Sequence, residues 1–167
     1  ARRPGVTDAG VPAPVGRTTT AEAGAVLAVL VAAAGATLLA TSRYGIGLTA
    51  DSVEYRTGAI SLAEGLGYTR NGDAITIFPP GYSAALSLGE RLGLGAVDGA
   101  RLLSIVAFVA TTLLGYALLR RHVRTGGARI AGTVVIGCSG VLLAVFDSAL
   151  SEHLFVVVVL LLVLVAE

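Results

Sequence analysis

Residues 154–166 run without one polar side chain, and this run most constrains what the chain can fold into. A segment that is apolar all round has no face to show to water, so it belongs in a large core or in hydrocarbon. Three earlier stretches repeat the pattern. Residues 23–40 and 102–119 carry no charge, and residues 130–146 form a slightly shorter third. Each approaches the roughly 20 residues needed to cross about 30 Å of hydrocarbon. Composition agrees: 54% of the residues are hydrophobic and only 14% charged, against about 25% charged in water-soluble domains. A net charge of +1 argues against a nucleic-acid partner held by electrostatics, and 5% aromatics without Trp argues against base-stacking platforms. The single Cys138 excludes an internal disulfide framework and a Cys-rich zinc site.

The expected fold class is all-α: a multi-pass transmembrane helix bundle with interfacial, juxtamembrane helices in the first external loop. Spans are expected at about residues 23–42, 100–119, 129–146 and 153–167, preceded by a cytoplasmic tail over residues 1–22. The basic residues Arg2, Arg3 and Arg17 fit the n-region of a signal peptide. The apolar part that follows is longer than the usual 7–15 residues, so a retained first helix is expected. The chain has no Met even at position 1 and ends inside an apolar run, so it is expected to be a fragment lacking its start and most of its C-terminal part.

Arg placement sets the orientation. Arg2, Arg3 and Arg17 precede the first span, and Arg120, Arg121, Arg124 and Arg129 follow the second with no acid among them. The long external loop, residues 43–99, carries from Tyr44 onward Asp51, Glu54, Glu64, Asp73, Glu90 and Asp98 against Arg56, Arg70 and Arg91. The positive-inside rule puts both Arg-rich pieces in the cytoplasm, and the long loop and the Asp147–Glu152 hairpin outside. Within the spans, Ala28, Ala32, Ala36 and Ala40 form a small-residue seam for close helix approach, with a shorter version at Gly140 and Ala144. Cys138 and Ser139 are read as packing residues.

An external loop of this length should carry structure of its own. Tyr55, Ala59, Leu62 and Leu66 fall on one helical face after Asp51, and Gly65 and Gly67 end that helix. Asn71-Gly72-Asp73 reads as a turn or small hairpin, and Pro79-Pro80 as an extended link. A second short helix is expected over residues 83–92. Asp51 fits an N-cap with Glu54 completing a capping box. Glu152 lies at the start of the fourth span, where an acid is costly and tends to be functional; its bland alternative is favourable placement in the helix dipole. Asp147 carries the same argument more weakly, and His153 is read as neither ligand nor proton carrier.

The order of motifs adds a resemblance. Asp51-Ser52-Val53-Glu54-Tyr55 opens the loop helix, followed by Gly65-Leu66-Gly67-Tyr68, Phe78-Pro79-Pro80-Gly81-Tyr82, Ala100-Arg101-Leu102-Leu103 and Leu150-Ser151-Glu152-His153-Leu154-Phe155. This order resembles the N-terminal part of GT-C fold membrane glycosyltransferases, the group containing protein O-mannosyltransferases and aminoarabinose transferases, and most of all their bacterial RgtA/B/C/D-like relatives. The resemblance implies transfer of a sugar from a polyprenyl-phosphate-linked donor to a glycan, lipid or protein acceptor on the extracytoplasmic side. It implies catalytic roles for Asp51, as base or orienting carboxylate, and for Glu152. Two positions depart from the family pattern: Ser52 where many relatives have a second acid, and His153 where Pro is frequent.

A phosphate leaving group needs a cation near the developing charge, and Arg56 and Arg101 are the available candidates. Tyr55 and Tyr82, in the same motifs, complete the expected substrate-binding set. The two carboxylates are expected to open into one external cavity. No cofactor or metal is called for, and the expected partners are the lipid donor, the bilayer and the acceptor, with no nucleic acid. The alternative is a piece of a multi-pass transporter in which Asp51 and Glu152 line a pathway. A scaffold without chemistry would leave the elaborate outer loop unexplained.

Overall fold

The computed structural model describes residues 18–167. The expected tail therefore lies outside the described residues up to position 17, with Arg2, Arg3 and Arg17. Seven helices and one small hairpin follow in chain order among the described residues: α1 (Thr20–Ala40), α2 (Ala50–Ala63), β1 (Thr69–Arg70), β2 (Asp73–Ala74), α3 (Pro80–Arg91), α4 (Gly95–His122), α5 (Gly126–Gly137), α6 (Gly140–Phe146) and α7 (Glu152–Ala166). The all-α class holds. Two helices, α1 and α4, are long and apolar enough to cross a membrane, and the α5–α6 pair adds a third if it is one span.

α1 begins earlier than hydropathy alone predicts, because Thr19 is its N-cap and accepts the Glu22 N–H at 3.1 Å. The helix thereby takes in a buried acid. Its packed stripe is Glu22, Val26, Val29, Ala33 and Thr37. The alanine seam is not the contact face: Ala28, Ala32 and Ala40 are exposed and Ala36 half-buried. Small residues permit close approach without demanding it, whereas Glu22 needs partners inside the protein, and the helix is rotated to give it them. Close approach occurs at a glycine instead. A Cβ on Gly137 would lie 2.6 Å from Val29 and 3.1 Å from Thr112, so α1, α4 and α5 converge where only hydrogen fits.

The third apolar stretch is broken. α5 and α6 meet at 46° across Cys138 and Ser139. Ser139 leaves helical geometry and its hydroxyl accepts the Leu142 N–H at 3.3 Å, capping α6. A serine that bonds its own downstream backbone competes with helix continuation. Ser139 is thus a cap, and Cys138 is exposed, so neither packs as expected; Gly140 and Ala144 are exposed too.

Helix ends fix the arrangement. Glu22 at the start of α1 contacts Tyr116 near the end of α4 and Arg129 near the start of α5, while His122 reaches Glu167 at 3.0 Å just beyond α7. The membrane-length helices therefore alternate in direction. The Arg-rich segment between α4 and α5 lies at one end with the start of α1. The segment from Thr41 to Leu94 and the α6–α7 connection lie at the other. There α2 packs on α3, and both pack on α4. The hairpin forms around Asn71 and Gly72, both with positive φ (53° and 92°), the backbone that a two-residue turn requires. α3 starts at Pro80, earlier than expected, because a proline in the first turn gives up no intrahelical hydrogen bond.

Candidate active site at the loop-rich end

The site begins with the cap of α2. Thr49 is the N-cap: its Oγ1 accepts the Ser52 N–H at 3.3 Å, and Ser52 Oγ accepts the Thr49 N–H at 2.9 Å. Asp51 is therefore not the cap, and Glu54 does not complete the box. The Ser52 hydroxyl has a further task that fixes this register. Buried at 2% exposure, it donates to the Ala149 carbonyl at 2.8 Å. Asp51 is left in the first turn with its side chain exposed, where the helix dipole favours a carboxylate. Glu54 instead pairs with Arg70 and ties the hairpin to α2.

The α2 entrance and the α6–α7 connection are sewn together. Gly47 N–H donates to Asp147 O at 2.7 Å, Ala149 N–H donates to Gly47 O at 2.8 Å, and Tyr55 Oη donates to Ser151 Oγ at 3.1 Å. Asp51 neighbours one side of this seam and Glu152 the other, and both side chains are exposed. Segments about a hundred residues apart in sequence thus present the two acids at one end of the molecule. A cleft of about 380 Å³ at that end is lined by Glu54, Arg70, Asn71, Asp73 and Phe78 among others. Neither Asp51 nor Glu152 lines it. Ser52→Ala should cost about 1–2 kcal/mol, from the lost reciprocal bond of the capping box and an unpaired Ala149 carbonyl, while the Thr49 cap itself is kept. Thermal unfolding in detergent would measure it, and retention of full stability would show the seam contributes nothing.

The remaining predicted residues occupy different environments. Tyr55 and Tyr82 are 5% and 3% exposed and belong to the core, so their rings do not form a substrate-facing wall. They form a ladder: Phe78 to Tyr55 at 5.2 Å between ring centroids, Tyr55 to Tyr82 at 5.1 Å, and Tyr82 to His153 at 6.3 Å, each edge-on. Burial raises the Tyr82 phenol pKa, and the nearby Tyr55 and Glu152 add to this, so it remains a neutral hydroxyl. That hydroxyl is buried without a hydrogen-bond partner among the described residues. Arg101 donates from Nε to Thr41 Oγ1 at 2.8 Å and from Nη2 to Leu38 O at 3.1 Å, holding the end of α1. Arg56 is exposed and makes no ion pair among the described residues, so it is the freer cation. Asp147 is half-buried at the end of α6.

His153 was missed as a structural residue. It is fully buried, its ring stacks on Phe146 at 4.8 Å and 11°, and Nε2–H donates to Val145 O at 2.8 Å. Its placement next to Glu152 makes α7 turn the acid outward while the imidazole anchors the helix start. A polar residue one step inside an apolar run was the available signal, but the partner that needs it comes from α6. Among the described residues no three His, Cys, Asp or Glu side chains gather as a metal-ligand set.

No family model matches this chain, and no curated protein or solved structure is significantly similar to it. Fold and site together define a mainly helical chain with two or three membrane-length helices, whose longest inter-helix segment folds into a cap at one end.

Proposed function

We propose that this chain belongs to an integral membrane glycosyltransferase that moves a sugar from a polyprenyl-phosphate-linked donor to an acceptor on the extracytoplasmic face. The reading rests on the motif order given above. The observation that carries it is the seam between residues 47–55 and 147–151, which sets exposed Asp51 and Glu152 at the same end of the apolar helices. A lipid-linked sugar presents its anomeric carbon at the interface, so carboxylates at a helix end, not mid-span, suit the chemistry. In the reaction the acceptor hydroxyl oxygen bonds to the anomeric carbon as the bond from that carbon to the phosphate oxygen breaks. The hydroxyl proton passes to a carboxylate, for which Asp51 is the candidate, and polyprenyl phosphate departs with the electron pair. Arg56 is the side chain available to meet the phosphate, since Arg101 is already engaged with α1.

The transporter alternative would be favoured by an acid within a span. Glu22 is the buried acid of α1, but it sits in the first turn and is fully paired with Arg129. That pairing suits a structural tie better than a pathway.

Sidedness is the first test. In a Cys138→Ser background, Asn71→Cys in the hairpin should react with an impermeant maleimide on intact cells, and Thr125→Cys between α4 and α5 only after permeabilisation. Labelling of Thr125→Cys alone in intact cells would invert the protein and remove the proposed site from the outer face.

A further inference from the structure

α4 and α7 pack against each other, and at the end opposite the loop cap they leave a cleft of about 530 Å³. Ala117, Leu164 and Val165 form its apolar part, and Arg120 and Arg121 its charged part. On α4, Leu113, Ala117 and Arg121 follow at intervals of four and share one face, with Arg120 beside the last of them. On α7, Leu161 and Val165 are likewise one turn apart, with Leu164 between them at the same level. Leu113, Leu161 and Val165 are all exposed. The cleft therefore continues as an uncovered apolar strip toward the middle of both helices and ends in arginines at their tips.

Charge at this end is the second, independent observation. The last turn of α4 carries Arg120, Arg121 and His122, and Arg124 follows it. Of the acids at this end, Glu22 is taken up by Arg129. Glu167 lies 3.8 Å from Arg121 and 3.0 Å from His122. Arg121 also donates to the Leu164 carbonyl, so it is held against α7 at the rim of the cleft. Arg120 lines the same cleft, is exposed, and makes no hydrogen bond or ion pair among the described residues. A soluble anion would answer the arginines and leave the apolar strip bare. An apolar helix laid over the strip would desolvate Arg120 without pairing it, which is costly. An amphiphile with an anionic head satisfies both parts.

We propose that the α4–α7 cleft is a docking site for an acidic phospholipid, whose phosphate accepts from Arg120 and whose acyl chain lies along Leu113, Ala117, Leu161 and Val165. A guanidinium presents paired N–H groups that match the oxygens of a phosphate, so Arg120 supplies direction as well as charge. Arg121, His122 and Arg124 add attraction from nearby without being asked to leave their places. The site lies at the far end of the helices from Asp51 and Glu152 and stands independently of the glycosyl-transfer reading.

The test titrates the delipidated full chain in neutral detergent with palmitoyl-oleoyl phosphatidylglycerol, with the matching phosphatidylcholine and with glycerol phosphate, reading bound ligand by native mass spectrometry. Two variants are compared with the parent. Arg120→Gln changes an exposed, unbonded side chain, so its unfolding temperature without lipid should equal that of the parent. Arg43→Gln removes one exposed arginine at the opposite end and controls for overall charge. The parent should bind phosphatidylglycerol saturably and in preference to phosphatidylcholine, and Arg120→Gln should weaken that binding about fivefold while Arg43→Gln leaves it unchanged. Glycerol phosphate, which has the head without the chains, should bind far more weakly than the lipid. Equal binding of the two lipids, a loss in Arg43→Gln as large as in Arg120→Gln, or no loss in Arg120→Gln overturns the proposal. Glycerol phosphate bound as tightly as the lipid overturns it too, since the apolar strip would then contribute nothing.

Discussion

Asp51→Asn should fold as well as the parent and lose most of its sugar-transfer activity, by about 10² to 10⁴ in rate. The structure sharpens this expectation. Because Thr49 and Ser52 cap α2, Asp51 makes no cap hydrogen bond that the substitution could break. Only the favourable placement of its charge in the helix dipole is lost, a small contribution for an exposed group. Asn keeps the shape of Asp but cannot take up a proton at working pH, so a fall in turnover would report the carboxylate itself. Turnover should be measured beside the unfolding temperature in the same detergent. An unchanged rate with unchanged stability would reduce Asp51 to a dipole partner.

Phe146→Ala should be the most destabilising single change at the junction of the cap and the long helices. Phe146 is fully buried, stacks on Phe108 at 5.0 Å on one side and on His153 at 4.8 Å on the other, and ends α6. Its carbonyl also accepts from Ser104 Oγ on α4. Phe-to-Ala truncations in tightly packed interiors cost about 3–5 kcal/mol. Where hydrocarbon surrounds the helices the transfer share shrinks and the cavity share remains, so a loss of about 3 kcal/mol is expected. Phe146→Leu, which refills most of the volume, should recover more than half of that. Equal losses in the two variants would mean that aromatic stacking, not packing volume, holds the junction.

The sequence made some of this architecture readable and hid the rest for identifiable reasons. Apolar length is a local, additive signal, so α1, α4 and α7 were visible within a few residues of their ends. The hairpin was visible because Asn71-Gly72 demands positive φ whatever surrounds it. The α5–α6 break was not, because hydropathy continues across Cys138 and Ser139 while a single hydroxyl redirects the backbone. Asp51 was the wrong cap because caps compete locally, and the winner was decided by Ser52 reaching Ala149, 97 residues away. Glu22 lay just before the apolar window, and its partners Tyr116 and Arg129 come from α4 and α5. His153 belongs to an aromatic ladder assembled from α2, α3 and α6. At the α2 cap and at Glu22 the deciding contact was long-range, whereas at the α5–α6 break it was a local hydroxyl that hydropathy does not register.

The central claim is that Asp51 and Glu152 serve one sugar-transfer site. Its most direct measurement is release of polyprenyl phosphate from a radiolabelled polyprenyl-phosphate sugar by the protein expressed from its complete reading frame in proteoliposomes. The parent, Asp51→Asn, Glu152→Gln and the double variant would be compared. Carboxylates that act in one step are strongly non-additive, so each single variant should lose activity and the double should be little worse than the poorer single. Turnover in the parent that both single variants retain in full, or losses that multiply in the double variant, would contradict a shared site.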